Sequence, residues 1–443
     1  MNIDDALAGS HCRLSRTGRW SLPAALATAL WTLVAGCTGT ARLAAPPKLF
    51  DSAVPAGFAN PVRTTSMDWR DLPTDAAAIL ERARASSADG KLHILALSGG
   101  GAGGAFGAGA LVGLGERKER PEFQIVTGVS TGALLAPFAF LGPAWDDRLT
   151  AAFNGTQSAT ALQRRSIDVL FRAGIYRGRG LFEIVDRFVT ADMVAAVARE
   201  AERGRLLLVA TTDLDKEEPV IWDLGAIARR GGEDARALFR DVLLASASIP
   251  GAFPPVILRV QNGHRQFDEM HVDGATTLPF FTFPDALLLN GLPRESVSGG
   301  EIYVLINGQI GTQPRTTPAR TIPIVARSLS AGLRHSARTE LALTASIAER
   351  YGMRLRFATL AIDHDPVRTL DLGVKNMGSL YAYGHDCAVR GLLWVSIQQA
   401  EASGDRALSR VVESSGRTAG EAASCPLDET VAGLAGDTVA VLH

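Results

Sequence analysis

Net charge is almost absent from this chain: 45 Lys and Arg stand against 46 Asp and Glu, leaving −1 over 443 residues. Such a balance offers nothing to a nucleic-acid backbone, which asks for a basic face. Cysteine is scarce, with four residues, and none of the eight histidines stands at a metal-binding spacing from Cys, Asp or Glu, so no metal and no cofactor are expected. No internal repeat is present. What remains is an ordinary globular composition, 47% apolar and 21% charged, able to bury a substantial core.

Against that plain background two glycine-rich turns stand out. Ser98-Gly99-Gly100-Gly101-Ala102-Gly103-Gly104 follows the apolar run Leu92–Leu97, which reads as a strand buried on both faces, and leads into a helical stretch from Ala105 to Leu114. Gly128-Val129-Ser130-Thr131-Gly132 follows the β-prone Gln124–Thr127 and opens a second helix from Thr131 to Phe140. The second turn has the form of a nucleophile elbow: Gly128 and Gly132 permit the sharp bend that lifts the Ser130 hydroxyl clear of the backbone. The first turn exposes backbone N–H groups at a helix N-terminus, a site for developing negative charge. A rival reading of Gly99, Gly101 and Gly104 as a dinucleotide fingerprint requires an acidic residue at the end of the next strand, and that strand ends in Thr127-Gly128-Val129-Ser130.

A third element, His271-Val272-Asp273-Gly274-Ala275, follows downstream. The order glycine-rich turn, Gly-x-Ser-x-Gly, Asp-Gly-Ala resembles the patatin-like phospholipase family, and Thr211-Thr212-Asp213-Leu214 and Ala245 through Pro255 resemble two further stretches of it. The likeness spans roughly residues 91 to 310. It implies a three-layer α/β sandwich with a mostly parallel central sheet and helices on both faces. It also implies a serine acyl hydrolase of the phospholipase A, lysophospholipase or esterase kind, with Ser130 as nucleophile, Asp273 as base and an oxyanion hole at Gly99, Gly100, Gly101 and Ala102. An aspartate at its usual pKa of about 3.9 is a poor base for a hydroxyl, so such a site must exclude water and raise that value.

One departure bears on the head group. Many relatives carry Arg or Lys just before the last glycine of the first turn, where this chain has Gly103, which weakens any preference for an anionic head group and leaves open a non-catalytic lipid-binding protein of the same fold. His364 and His385 follow Ser130 and Asp273 in the chain order of a Ser-Asp-His triad, a second mechanistic alternative. Asp213 reads as a cap or turn residue.

The N-terminus carries Arg13, Arg16 and Arg19 ahead of an uncharged, mostly apolar stretch from Trp20 to Gly36, the pattern of an export signal. Its end, Leu33-Val34-Ala35-Gly36-Cys37, resembles the lipobox of bacterial lipoproteins. The resemblance implies cleavage before Cys37, acylation of that cysteine, attachment to a bilayer and a place in the bacterial cell envelope, with Thr38 favouring the outer membrane. An uncleaved transmembrane anchor is the alternative.

The expected organisation is a signal over 1–36, a lipidated, Pro-rich tether over 37–90, a catalytic domain over 91–400 and a flexible tail over 401–443. Within the catalytic domain, strands are expected at Arg205–Thr211, Glu301–Asn307 and Leu355–Ile362, and helices at Ala235–Ala247, Ile322–Arg350 and Leu380–Ala400. Phe171, Ile175, Tyr176, Leu181 and Phe182, interleaved with Arg172, Arg177, Arg179 and Arg187, suggest either a lid contacting a phospholipid surface or a helix packed over the sheet. Cys387 and Cys425 could pair in an oxidising compartment.

Overall fold

The computed structural model describes residues 42–49, 52–58, 62–65, 72–156, 178–284, 287–288, 291–311, 314, 316–361, 364 and 367–395. The signal segment, Cys37, the tail 401–443, Cys425 and Phe171, Arg172, Ile175, Tyr176 and Arg177 lie outside them. Ten strands are described: β1 (Val54–Pro55), β2 (Arg63–Thr65), β3 (His93–Leu97), β4 (Ile125–Val129), β5 (Leu206–Asp213), β6 (Glu218–Asp223), β7 (Val256–Asn262), β8 (Arg265–Asp273), β9 (Glu301–Ile306) and β10 (Arg354–Thr359). The helices are α1 (Leu72–Ala85), α2 (Gly104–Glu116), α3 (Thr131–Leu141), α4 (Asp146–Phe153), α5 (Gly178–Phe188), α6 (Ala191–Glu202), α7 (Leu224–Arg230), α8 (Gly232–Ser246), α9 (Arg294–Val297), α10 (Thr321–Tyr351) and α11 (Val374–Val389).

All strands join one sheet in the order β1-β7-β8-β5-β4-β3-β9-β10, with β6 beside β5 and β2 beside β6. From β10 through β9, β3 and β4 to β5 the pairing is parallel. β4 and β9 are buried along their whole length, as apolar strands covered on both faces must be. One face is covered by α2, α3, α5, α6, α8 and α11, the other by α1, α9 and the C-terminal half of α10. The result is the three-layer α/β sandwich expected, with an antiparallel flank of β1, β2, β6, β7 and β8 that local apolar runs did not reveal. The chain leaves β3 for β4 on one side and returns at β9 on the other, so the strand order switches at β3. The crevice beyond the carboxyl ends of strands at such a point is the usual ligand site of an open α/β sheet.

Two expectations change. The described residues between 42 and 65 do not form a free tether. β1 and β2 extend the sheet, Ala45 and Ala53 pack on Val260 and Phe267, and Arg63 forms a buried pair with Glu269. Pro55 is tolerated because β1 is an edge strand, where a missing N–H costs no ladder bond. The last helix runs Val374–Val389, earlier than expected, and ends where Gly391 takes a left-handed conformation, φ +74°. It lies unusually close to α2: a Cβ on Gly109 would stand 2.0 Å from the Tyr381 carbonyl oxygen, so a glycine is needed there.

Candidate active site

Ser130 sits between β4 and α3 with φ 57° and ψ −125°, a left-handed conformation that only a forced bend imposes on a residue with a Cβ. Gly132 makes the bend possible, since a Cβ there would lie 2.3 Å from the Leu97 carbonyl oxygen. Gly128 is equally confined, its Cβ direction blocked by the Gly132 carbonyl at 2.6 Å. The Ser130 amide donates to Ser246 Oγ at 3.0 Å, and that hydroxyl donates to the Ala210 carbonyl at 2.7 Å. Ser246, on α8, thereby ties the bend to β5.

Asp273 ends β8, whose pairing with β5 sets it opposite Thr211. Ser130 Oγ donates to Asp273 Oδ2 at 2.6 Å, and the Ala275 amide donates to Oδ1 at 2.8 Å. The carboxyl is 2% exposed. Burial pushes its pKa up to about 7, against the opposing pull of the Ser130 and Ala275 hydrogen bonds.

The glycine-rich turn lies directly over the serine, for a Cβ on Gly99 would stand 3.1 Å from Ser130 Cβ. Its four expected oxyanion donors are not equivalent. The Gly99 amide donates to the Pro279 carbonyl and the Ala102 amide to the Thr369 carbonyl, so both are already engaged. The amides of Gly100 and Gly101 donate to nothing among the described residues. The expected set of Gly99, Gly100, Gly101 and Ala102 therefore narrows to its middle pair, because the loop carrying Thr369 and the segment carrying Pro279 pack onto the turn. Asn307, just past β9, holds the turn from beneath: its side-chain amide donates to the Ser98 carbonyl at 2.7 Å, and its backbone amide donates to Ser98 Oγ at 2.9 Å. The same residue accounts for the missing cation at 103. A Cβ on Gly103 would lie 2.0 Å from the Asn307 carbonyl oxygen, leaving no room for an Arg or Lys side chain.

Beside Thr131 and Gly101 opens a narrow cavity of about 90 Å³, walled by Leu134, Phe138, Phe153, Leu181, Phe188, Leu243 and Met377 among others. The wall is almost wholly apolar, a fit for hydrocarbon. Helix α5 supplies its outer side with Leu181 and Val185 buried, while Arg179 faces solvent and pairs with Glu183 and Phe182 lies under Arg240. The described part of the suspected lid is thus a helix packed over the core.

The two histidines of the triad alternative lie elsewhere. His385 pairs with Glu116 at 3.0 Å, and the His364 ring packs on Tyr383. A buried trio of Asp213, Glu269 and His271 does bring metal-capable atoms within 4.8 Å of one another, through the β5–β8 pairing rather than through sequence spacing. Each member is already partnered: Glu269 by Arg63 and His271, His271 by Thr211, and Asp213 by the Asp215 amide, which makes Asp213 a turn residue. Although burial opposes it, the His271 and Arg63 contacts hold Glu269 down at about 2. Members that already satisfy one another in this way tie β5, β8 and β2 together. Ser246, Ser98 and Asn307 were not singled out from sequence; Ser246 lies in the Ala245–Pro255 stretch, but nothing there distinguishes it from Ser248.

The fold is an α/β sandwich whose candidate site lies in the crevice at its switch point. Residues 95–284 match the family model for patatin-like phospholipase, a family of lipid hydrolases. A comparison with curated proteins returns no match. Among solved structures, the crystal structure of VipD from Legionella pneumophila aligns with a TM-score of 0.30 and 14% identity, covering 70% of this chain and 69% of that one, a likeness too remote to bear on function.

Proposed function

We propose that the chain cleaves carboxylic esters of phospholipid or lysophospholipid through a Ser130–Asp273 dyad. The observation that carries the reading is the 2.6 Å hydrogen bond from Ser130 Oγ to a buried carboxylate. As Oγ bonds to the ester carbonyl carbon, its proton passes to Asp273 Oδ2 and the carbonyl oxygen becomes an oxyanion received by the Gly100 and Gly101 amides. Collapse breaks the ester C–O bond, and the leaving alkoxide takes the proton from Asp273. Water then loses a proton to Asp273 as it attacks the acyl-enzyme, and Ser130 regains that proton when the fatty acid departs. The apolar cavity beside Thr131 receives the acyl chain. With no cation at Gly103, the alcohol part of the substrate is selected more weakly than the acyl chain.

The N-terminal pattern adds a place to the chemistry: acylation of Cys37 holds the domain at a membrane of the bacterial envelope, the outer one by preference. More than one acyl chain is needed for stable attachment.

A fluorophosphonate probe tests the dyad. Labelling of the wild-type chain that disappears in Ser130→Ala, together with release of free fatty acid from total bacterial lipid seen by mass spectrometry, is the expected result. A wild-type chain that neither labels nor releases fatty acid would leave a lipid binder without turnover.

A further inference from the structure

Helix α10 is 31 residues long, yet only its second half is packed. Leu341, Ile347, Ala348 and Tyr351 are buried against the sheet, whereas none of the described side chains from 321 to 336 is. Arg334 and Arg338 fix the level at which the helix passes the sheet, donating to the carbonyls of Gly311 and Ile310 just beyond the carboxyl end of β9. Residues 321–333 therefore project past that edge by about 20 Å at 1.5 Å per residue. This is the edge from which the glycine-rich turn and Ser130 arise, because β9, β3 and β4 run parallel.

The projecting segment carries large apolar side chains exposed to solvent. At 100° per residue Val325, Leu329 and Leu333 share one stripe with Leu343, and Val325 and Leu329 are 60% and 53% exposed. Arg320, Arg327, Arg334 and Arg338 fall on the opposite stripe. The lower two are tied to the protein body, so the apolar stripe is the one turned away from it. Among the described residues Arg320 and Arg327 have no ion-pair partner, and no aspartate or glutamate occurs between Glu301 and Glu340. An uncompensated cationic segment carrying an outward apolar face matches a surface that is apolar beneath and anionic above. No described helix is long and apolar enough to cross a membrane, so the match is to lying in the interface.

We propose that residues 320–333 form a docking element that seats the catalytic edge on an anionic lipid bilayer, with Val325 and Leu329 entering the acyl boundary and Arg320 and Arg327 meeting lipid phosphates. The proposal rests on the reading that the substrate is presented at a lipid surface.

The test uses the full chain carrying Cys37→Ser, so that no acyl anchor contributes, and vesicles of equimolar phosphatidylglycerol and phosphatidylcholine. Cosedimentation is expected to fall about tenfold or more in Val325→Asp/Leu329→Asp and by a similar factor in Arg320→Glu/Arg327→Glu, with the arginine effect lost on pure phosphatidylcholine. Turnover of a short soluble ester by both variants stays at the wild-type level, which also reports that they fold. A Leu329→Trp variant is expected to blue-shift its fluorescence on these vesicles. A parent chain that remains in the supernatant, or variants that bind as well as it does, overturn the docking element even if short-ester turnover is intact. A dimer dissociated by Leu329→Asp in sedimentation velocity, without vesicle binding, overturns it in favour of a second copy. Vesicle binding by a chain that never turns over ester supports docking and removes only the hydrolase reading.

Discussion

At the scale of single residues the chemistry turns on one proton. In the proposed dyad Asp273 must be ionised to accept the Ser130 proton, and burial holds its pKa at about 7. Short-ester kcat/KM is therefore expected to rise through about pH 7 with unit slope and to level off above it. Stability runs the other way. The unfolded chain releases this proton near the ordinary carboxyl value, whereas the folded state keeps it until about pH 7, so unfolding free energy falls as pH rises from about 4 to 7 and this contribution is constant above. Asp273→Asn cannot ionise. Its melting temperature relative to wild type is expected to climb across that window while turnover is lost at every pH. A difference that stays flat from pH 4 to 8 would show that the carboxyl titrates normally.

At the scale of elements, the strand-to-helix bends after β3 and β4 place the glycine-rich turn over the serine, and helix α5 closes from outside the apolar cavity proposed for the acyl chain. Leu181 lies on the inner face of α5, buried and in the cavity wall. Leu181→Trp fills the cavity at a stability cost of about 1–3 kcal/mol. It is expected to lower kcat/KM for long-chain acyl esters by about tenfold while leaving butyrate esters nearly unchanged, since a few methylenes in an apolar pocket are worth about 1–3 kcal/mol. Equal loss on both substrates would mean that the acyl chain lies elsewhere. The elements legible beforehand were those with strong local pattern: the apolar runs of β3, β5 and β9 and the long period of α10. The antiparallel flank was not, because β7 and β8 alternate buried and exposed residues over short spans, and their pairing depends on partners distant in sequence.

At the scale of the whole molecule, the proposed catalytic edge lies at one end of a two-faced sandwich, and the proposed anchor lies ahead of β1. Arg42 and Arg63 are bound to Asp215 and to buried Glu269, so the chain is held to the protein body from Arg42 onward. Cell fractionation should find the wild-type chain in the membrane pellet after a high-salt wash, and Cys37→Ser released by the same wash if α10 alone retains it. A Cys37→Ser chain as firmly retained as wild type would remove the acyl anchor.

The sequence by itself determined the two bends, the serine they present, the aspartate that pairs with it and the class of fold, because each is written in contiguous residues whose backbone demands are local. Only tertiary structure decided which amides of the glycine turn remain available, why position 103 must be glycine, and which side of α10 faces outward. Those outcomes depend on Thr369, Pro279, Asn307 and the loop at Ile310–Gly311, all brought to the site by chain reversals that carry no local signature.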